Sequence, residues 1–333
     1  MKAMVITGEG IDALKEESRD AGALGPFDVR VRIIATSLNY RDFITVMTGA
    51  GGQQLVPNSC GAGEILEVGA EVTRFAAGDR ATPLFFQKWL AGPPTQEGLM
   101  SALGGFPNDG CLREEMVLNE EGLVKTPDYM TDKEAATLAC AGLTAWRGLV
   151  EEGNLRAGET VLVQGTGGVS IFALQFAKLF GAEVIATSSS DEKLERVKAL
   201  GADHTINYRE NPEWARQARE ITDGRGVDHI VEVGGADTLQ QSIAAVALAG
   251  HVHIIGVLSG FVKDIMVSDL FRTNAKFHGI TVGSRQMFEN MVRAMSLHES
   301  HPVIDREFEF ADSREAFSLM QSGGHFGKIV INL

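Results

Sequence analysis

Val161-Leu162-Val163-Gln164-Gly165-Thr166-Gly167-Gly168-Val169-Ser170 is the stretch that decides the fold. An apolar strand runs into a glycine turn, and an alanine-rich apolar helix is predicted from Ser170 to Phe180. Glycine at 165 permits a tight turn. Glycine at 167 lets backbone approach a pyrophosphate, whose charge then rests at the positive end of the helix. Gly165, Thr166, Gly167, Gly168 and Val169 are therefore expected to bind a dinucleotide. Ser170 stands at the third glycine position of the fingerprint, where a small hydroxyl still allows the helix to pack closely on the strand.

Outward from this turn the chain alternates strand and helix. Strands are predicted at Val161–Gln164, Glu183–Thr187, His204–Tyr208, Val227–Val233, His251–Ile255 and Phe277–Val282. Helices are predicted at Asp191–Leu200, from Asn211-Pro212 to about Thr222, and at Thr238–Leu248. Asp191 suits a helix start, Gly201 a C-terminal cap, and Pro212 a first helical position. Six strands with helices between most of them imply an α/β fold with a doubly wound parallel sheet.

The first part reads differently. Val29–Ile34, Gly63–Val68, Asp79–Pro83 and Cys111–Leu118 are short strands between glycine and proline turns, which implies a mainly antiparallel β domain. Phe85–Asn108 lacks periodicity and reads as a long loop of a kind that often carries function. Its apolar residues Phe85, Phe86, Trp89, Leu90 and Met100 allow a substrate lid, a satellite core or a subunit contact. The tail adds helix (Gln286–Leu297), strand (Ile304–Phe310), helix (Asp312–Gln321) and strand (Lys328–Ile331), and is expected to rejoin the first domain.

Composition narrows the function. The 333 residues carry 30 Lys+Arg against 44 Asp+Glu, a formal charge of -14, which disfavours nucleic acid and anionic membrane as partners. No apolar run reaches the ~18 residues of a membrane span. Three scattered cysteines (Cys60, Cys111, Cys140) make no disulfide framework, so a reducing, cytoplasmic setting is expected. The eight histidines show no metal-binding spacing. His251 and His253 alternate on a strand and call for no functional reading.

Further motifs point to a family. Ser37-Leu38-Asn39-Tyr40-Arg41-Asp42, Gly61-Ala62-Gly63-Glu64-Ile65-Leu66-Glu67-Val68-Gly69, Gly78-Asp79-Arg80, Lys198-Ala199-Leu200-Gly201-Ala202-Asp203 and Gly327-Lys328-Ile329-Val330 occur in order along nearly the whole chain. With the turn at 165–170 they resemble the medium-chain dehydrogenases/reductases, and within them the zinc-independent quinone oxidoreductase and enoyl reductase branch. The resemblance implies a GroES-like, mainly β substrate domain (1–125 and 283–333) and a six-stranded Rossmann domain (126–282). It also implies a homodimer, for which Val262–Val267 is a plausible edge strand.

An NAD binder usually presents Asp or Glu to the ribose 2′-hydroxyl about 20 residues past the glycines. This chain has Thr187-Ser188-Ser189-Ser190, followed by Lys193, with Tyr208 at the end of the third strand. In the family the matching Lys and Tyr hold a 2′-phosphate. Ser188, Lys193 and Tyr208 thus favour NADPH over NADH, with Asp191 as the counter-signal: it either faces the ribose or caps its helix. The resemblance also places Gly256, Val257 and Leu258 beside the nicotinamide, and Phe326 and Lys328 near the cofactor. For the last two, core packing and a solvated edge are the alternatives.

Zinc-dependent relatives bind catalytic zinc through Cys, His and Cys. Asn39, Ser59 and Cys140 fall at those positions, so no zinc is expected. Hydride delivery to a plain carbonyl makes an alkoxide that zinc normally stabilises, whereas a conjugated acceptor spreads the charge itself. The expected activity is reduction of a quinone, enone or enoyl-type small molecule. A zinc-independent alcohol, aldehyde or ketone oxidoreductase and an NADPH-binding sensor with little turnover are the alternatives. Asn39, Tyr40 and Thr144 are the candidate catalytic residues. Tyr40 either positions substrate or packs, Arg41 and Asp42 pair across the loop, and Thr144 either reaches the nicotinamide or bonds its own helix.

Overall fold

In the computed structural model, which describes residues 1–262 and 264–333, contacts divide the chain into Met1–Leu143 with Val282–Leu333, and Thr144–Thr281. The first unit begins with β1 (Lys2–Ile6) and β2 (Leu14–Ser18), an antiparallel pair. Next come β3 (Asp28–Ser37), β4 (Cys60–Val68), β5 (Arg80–Pro83), β6 (Glu115–Asn119) and β7 (Leu123–Lys125). Val29, Val31 and Ile33 alternate on β3 and pack with Ile65, Met116 and Leu123 in one core, as the two-residue period of a strand requires. β3 runs past the predicted Ile34 because both of its edges stay paired: Ser37 lies opposite Cys60 on one side and Val330 on the other. That extension carries the chain straight to Asn39.

Two expectations in this unit change. The predicted strand Cys111–Leu118 starts only at Glu115. Cys111 and Leu112 are buried, and their backbone bonds go to Asn58, Pro57 and Met4. The segment 85–108 is not featureless. It holds a short helix, Gln96–Leu99, capped by Thr95, and a satellite core. Phe85, Phe86, Trp89 and Leu103 are buried, the Phe85 and Phe86 rings meet edge to face at 4.6 Å, and Trp89 Nε1 donates to the Gly92 carbonyl. Met100 and Phe106 stay exposed.

The second unit carries β8 (Thr160–Gln164), β9 (Glu183–Ser188), β10 (His204–Asn207), β11 (Val227–Glu232), β12 (Val246–Ile254) and β13 (Lys276–Gly279). They form one parallel sheet in the order β10-β9-β8-β11-β12-β13. All of β8 is buried, as expected for a strand covered on both faces. The order reverses between β8 and β11, the switch point beside which such sheets bind ligands.

Several boundaries here differ, the strand expected at Phe277–Val282 running instead over Lys276–Gly279. The helix expected from Pro212 begins at Trp214, because the Asn211 N–H turns back to the Asn207 carbonyl and the apolar face starts with the buried Trp214. The helix expected to reach Leu248 stops at Ala245, where β12 begins. The predicted strand Val262–Val267 does not form among its described residues. Val267 opens the helix Val267–Thr273, β13 already takes the sheet edge, and Lys263 lies outside the described residues. The chain returns to the first unit with β14 (Ile304–Glu309) and β15 (Lys328–Asn332), giving a mixed sheet in the order β14-β15-β3-β4-β5-β7, with β6 also on β3. Among the described residues no helix is long and apolar enough to cross a membrane.

Candidate functional site

The glycine turn has the backbone that its sequence demands. Gly165 has φ +68°, a conformation that other residues adopt at a cost. Gly167 is the N-cap of the helix Gly168–Leu179, and a side chain there would meet nothing within 4 Å. Its glycine therefore leaves open space over the first helical N–H groups, including that of Val169. Thr166 is buried. Ser170 Oγ donates to the Gln164 carbonyl at 2.6 Å, so the hydroxyl at the third glycine position ties the helix to the end of β8.

At the ends of β9 and β10, Ser188 pairs with Asn207 and its carbonyl accepts the Tyr208 N–H. Ser190, not Asp191, caps the following helix, its Oγ accepting the Lys193 N–H. Asp191 instead accepts from Asn207 Nδ2 at 2.7 Å. Ser188, Lys193 and Tyr208 are thus gathered at one end of the sheet, with the Tyr208 ring 41% exposed and the nearby carboxylate engaged by an amide.

One residue that the sequence did not single out orders the switch point. Glu232, fully buried at the end of β11, accepts from Gln164 Nε2 (2.7 Å), Thr238 Oγ1 (2.5 Å), the Gly234 and Gly235 N–H groups (both 2.9 Å) and Ser242 Oγ. This carboxylate fixes the loop 233–235. That loop in turn holds the turn after β12: Leu258 N–H donates to the Val233 carbonyl and Ser259 N–H to the Gly234 carbonyl, while Gly256 N–H bonds the Glu232 carbonyl. A Cβ on Gly256 would lie 2.2 Å from the Val233 carbonyl oxygen. The turn Gly256-Val257-Leu258 is thus held at close quarters by a chain of bonds that begins at Glu232.

In the first unit, β3 delivers Asn39 to the N-cap of the helix Tyr40–Met47, where Asn39 and Asp42 form a capping box. Such a cap satisfies the free N–H groups of the first turn. Asn39 Nδ2 lies 3.2 Å from each of Asp42 Oδ2, Ser59 Oγ and Cys60 Sγ, and Asn39 Oδ1 accepts from Lys328 Nζ at 2.7 Å. Lys328 also donates to the Leu38 carbonyl and is buried, so it is no solvated edge residue. Burial pulls its pKa down, partly countered by Cys60, Cys140 and Asp42. Burial pushes the Cys60 thiol up, but the Cys140 thiol, Lys328 and the Asn39 amide outweigh that and leave it below the ordinary value. Cys140, on the π-helical turn Leu138–Gly142, is pushed well above the ordinary value by its bond to Cys60 and by burial.

The other candidates separate. Tyr40 is 37% exposed, its ring 5.8 Å from Phe43. Arg41 pairs with the buried Asp42 at 3.4 Å, donates to the Leu103 carbonyl and lies over the Phe85 ring. Phe326 is core. Thr144 falls in the other unit and donates to the Thr281 carbonyl at 3.1 Å. Asn39, Ser59 and Cys140, the positions that the resemblance assigns to zinc, carry here an amide bonded at both ends, a hydroxyl and a thiol pushed well above its ordinary pKa, beside a buried ammonium. That donor set does not fit zinc, which takes thiolate and neutral imidazole.

Comparison with known proteins agrees with this architecture. The family described as "Alcohol dehydrogenase GroES-like domain" matches residues 25–128, and "Zinc-binding dehydrogenase" matches residues 168–296. The chain is 44% identical to a zinc-type alcohol dehydrogenase-like protein of Schizosaccharomyces pombe, over 97% of this chain and 96% of that protein. It is 35% identical to a quinone oxidoreductase of Pseudomonas aeruginosa, over 94% and 90%. A solved structure from Sinorhizobium meliloti 1021 superposes with a TM-score of 0.92 at 43% identity, covering 100% of this chain and 98% of that one. With the glycine turn, the 3-2-1-4-5-6 strand order and the GroES-like unit in place, this chain belongs to the medium-chain dehydrogenase/reductase family of oxidoreductases.

Proposed function

We propose that this protein is an NADPH-dependent reductase that passes hydride, without zinc, to a conjugated small-molecule acceptor: a quinone, enone or enoyl-type substrate. The observation that carries this reading is the Asn39–Lys328 contact. Where a metal-dependent relative places its first zinc ligand, a neutral amide is bonded at both ends and a buried ammonium stands 2.7 Å from its oxygen. A substrate that delocalises its own developing charge has less need of a Lewis acid.

In this reading the turn Gly165–Val169 binds the pyrophosphate, Ser188, Lys193 and Tyr208 bind the 2′-phosphate, and Gly256–Leu258 flanks the nicotinamide. The cofactor supplies the hydride. Tyr40 orients the acceptor oxygen, Asn39, its amide already engaged, fixes the strand-to-helix turn that carries Tyr40, and Lys328 is a positioning residue that holds the Asn39 amide. The hydroxyl of Thr144 is spent on Thr281, which favours a structural role for it. The engagement of Asp191 by Asn207 supports NADPH over NADH, because that carboxylate is drawn away from a ribose.

A homodimer belongs to the same proposal. β13 is one of the two edge strands of the parallel sheet among the described residues, and Phe261, Val262, Met266, Val267 and Phe271 are exposed apolar residues close to it in sequence. Light scattering that finds only monomers at micromolar concentration overturns that part. A cytoplasmic location fits the unpaired cysteines.

The test is cofactor oxidation followed at 340 nm with a panel of quinones, enones, enoyl thioesters, aldehydes and ketones, before and after chelation. NADPH-dependent turnover of conjugated acceptors that survives chelation is expected. A preference for NADH, or activity lost on chelation and restored by zinc, overturns the reading. The similarity to an alcohol dehydrogenase-like protein keeps one alternative in view, a carbonyl or alcohol oxidoreductase, and the same panel separates it.

A further inference from the structure

Four of the eight histidines lie on one face of the parallel sheet of the second unit. β11 contributes His229, β12 His251 and His253, and β13 His278. Register sets His229 beside His251 and His253 beside His278, and alternate residues of a strand share a face. The rings stack. Centroids are 4.9 Å apart for His229–His251, 5.1 Å for His251–His278, 5.4 Å for His253–His278 and 5.5 Å for His229–His253. Two pairs of nitrogens face one another: His229 Nδ1 and His253 Nε2 at 3.2 Å, and His251 Nδ1 and His278 Nε2 at 3.0 Å. One nitrogen from each of His229, His251 and His253 lies within 4.8 Å of the others.

The surroundings suit a metal better than a packed core. Glu159 Oε2 is 3.0 Å from His229 Nε2. The carboxylate holds the N–H there and leaves Nδ1 as a lone pair directed at His253, the arrangement in which a carboxylate orients a metal-binding imidazole. His253 is fully buried, and its Nδ1 has no hydrogen-bond partner among the described residues. An unsatisfied ring nitrogen in a dry place is something native cores seldom tolerate, and it leaves Nε2, which faces His229 Nδ1, available as a ligand. Gly148 and Gly153 keep the space beside these nitrogens clear: a Cβ at 148 would lie 3.5 Å from the His253 ring, and one at 153 would lie 3.0 Å from His229 Nδ1. Burial pulls all four imidazoles toward the neutral form, His251 to about 4. The carboxylates of Glu159, Asp228 and Glu152 and the cations of Lys276 and Arg147 are the charges that act on the cluster.

We infer that His229, His251 and His253 form a binding site for a divalent transition-metal ion, oriented by Glu159 and closed by His278 or water, and separate from the oxidoreductase site. Imidazole ligands select zinc, copper or nickel over magnesium or calcium. The His229 Nδ1–His253 Nε2 spacing of 3.2 Å is close to the roughly 3.3 Å that ligands at about 2.0–2.1 Å adopt around a tetrahedral ion, and a His251 nitrogen lies within 4.8 Å of both. An ion here would bond β11 to β12 across the sheet and stiffen the second unit.

The test uses the 333-residue chain, stripped with a chelator and titrated with Co(II) and with Zn(II). Expected are a single Co(II) per chain with a nitrogen-type visible spectrum free of sulfur charge-transfer bands, and a rise in melting temperature with Zn(II). His251→Ala and His253→Ala should each weaken Co(II) binding about 10–100-fold, and Glu159→Gln about tenfold. The surface variants His204→Ala and His301→Ala should bind normally. If His253→Ala does not fold, the half-buried His251 and Glu159 decide the matter. Absence of binding, unchanged affinity in His251→Ala and Glu159→Gln, or sulfur-to-cobalt bands would overturn the site.

Discussion

Replacing Glu232 tests whether one buried carboxylate organises the ends of three strands. Five donors converge on it, and three of these have a second acceptor nearby. Gly234 N–H has Gln164 Oε1 at 3.2 Å, Thr238 Oγ1 has the Gly235 carbonyl at 3.3 Å, and Gln164 Nε2 has Ser242 Oγ at 2.9 Å. Glu232→Ala therefore strands the Gly235 N–H and the Ser242 hydroxyl. At about 1–3 kcal/mol for each buried unsatisfied donor, the loss is about 2–6 kcal/mol. Glu232→Gln keeps an oxygen for Gly234 and Gly235 but turns an NH2 toward Gln164 Nε2 and Ser242, and should lose about 1 kcal/mol. Urea unfolding followed by circular dichroism measures both. Because the loop 233–235 holds the turn Gly256-Val257-Leu258, NADPH affinity should fall in the same order, wild type, Gln, Ala. An alanine variant within about 0.5 kcal/mol of wild type, or one that is destabilised yet binds NADPH normally, would refute the reasoning.

Gly167→Val should fold like wild type, since its backbone is extended and its surroundings are open, yet bind NADPH at least about tenfold more weakly, a difference of ~1.4 kcal/mol readable by calorimetry. Lys193→Ala with Tyr208→Phe should weaken NADPH more than NADH, read as a shift in the ratio of the two kcat/KM values; an unchanged ratio removes both residues from 2′-phosphate recognition. Lys328→Met should lower kcat through loss of the Asn39 orientation while cofactor affinity holds. Trp89→Ala should cost about 3–5 kcal/mol of stability, measured by denaturant unfolding, because the indole is buried against Phe86.

The second unit was largely legible because its signals are local. A strand buried on both faces, a glycine turn and an amphipathic helix recur at short range, and the strands were placed to within a few residues. The misplaced boundaries arose where long-range pairing overrides composition. β3 continues past Ile34 because partners flank it on both sides, and the described residues of Val262–Val267 have no partner strand. Gly165 and Gly167 could be named because turn chemistry marks them, and Asn39 because the family resemblance sets it at a zinc-ligand position. Glu232 could not, since its five donors come from residues 164, 234, 235, 238 and 242 and no short motif gathers them. The histidines escaped for the same reason: only the sheet register brings β11, β12 and β13 together on one face.

The segment 85–108 is anchored on its inner side. Phe85, Phe86, Trp89 and Leu103 hide from water, the indole N–H is tied to Gly92, and Arg41, Arg285 and Gln286 bond the carbonyls of Leu103, Trp89 and Leu90. Its outward residues, Met100 and Phe106 among them, are released from that duty. Substitution there can proceed with little penalty to folding, so this stretch of surface is free to vary while the scaffold beneath stays the same.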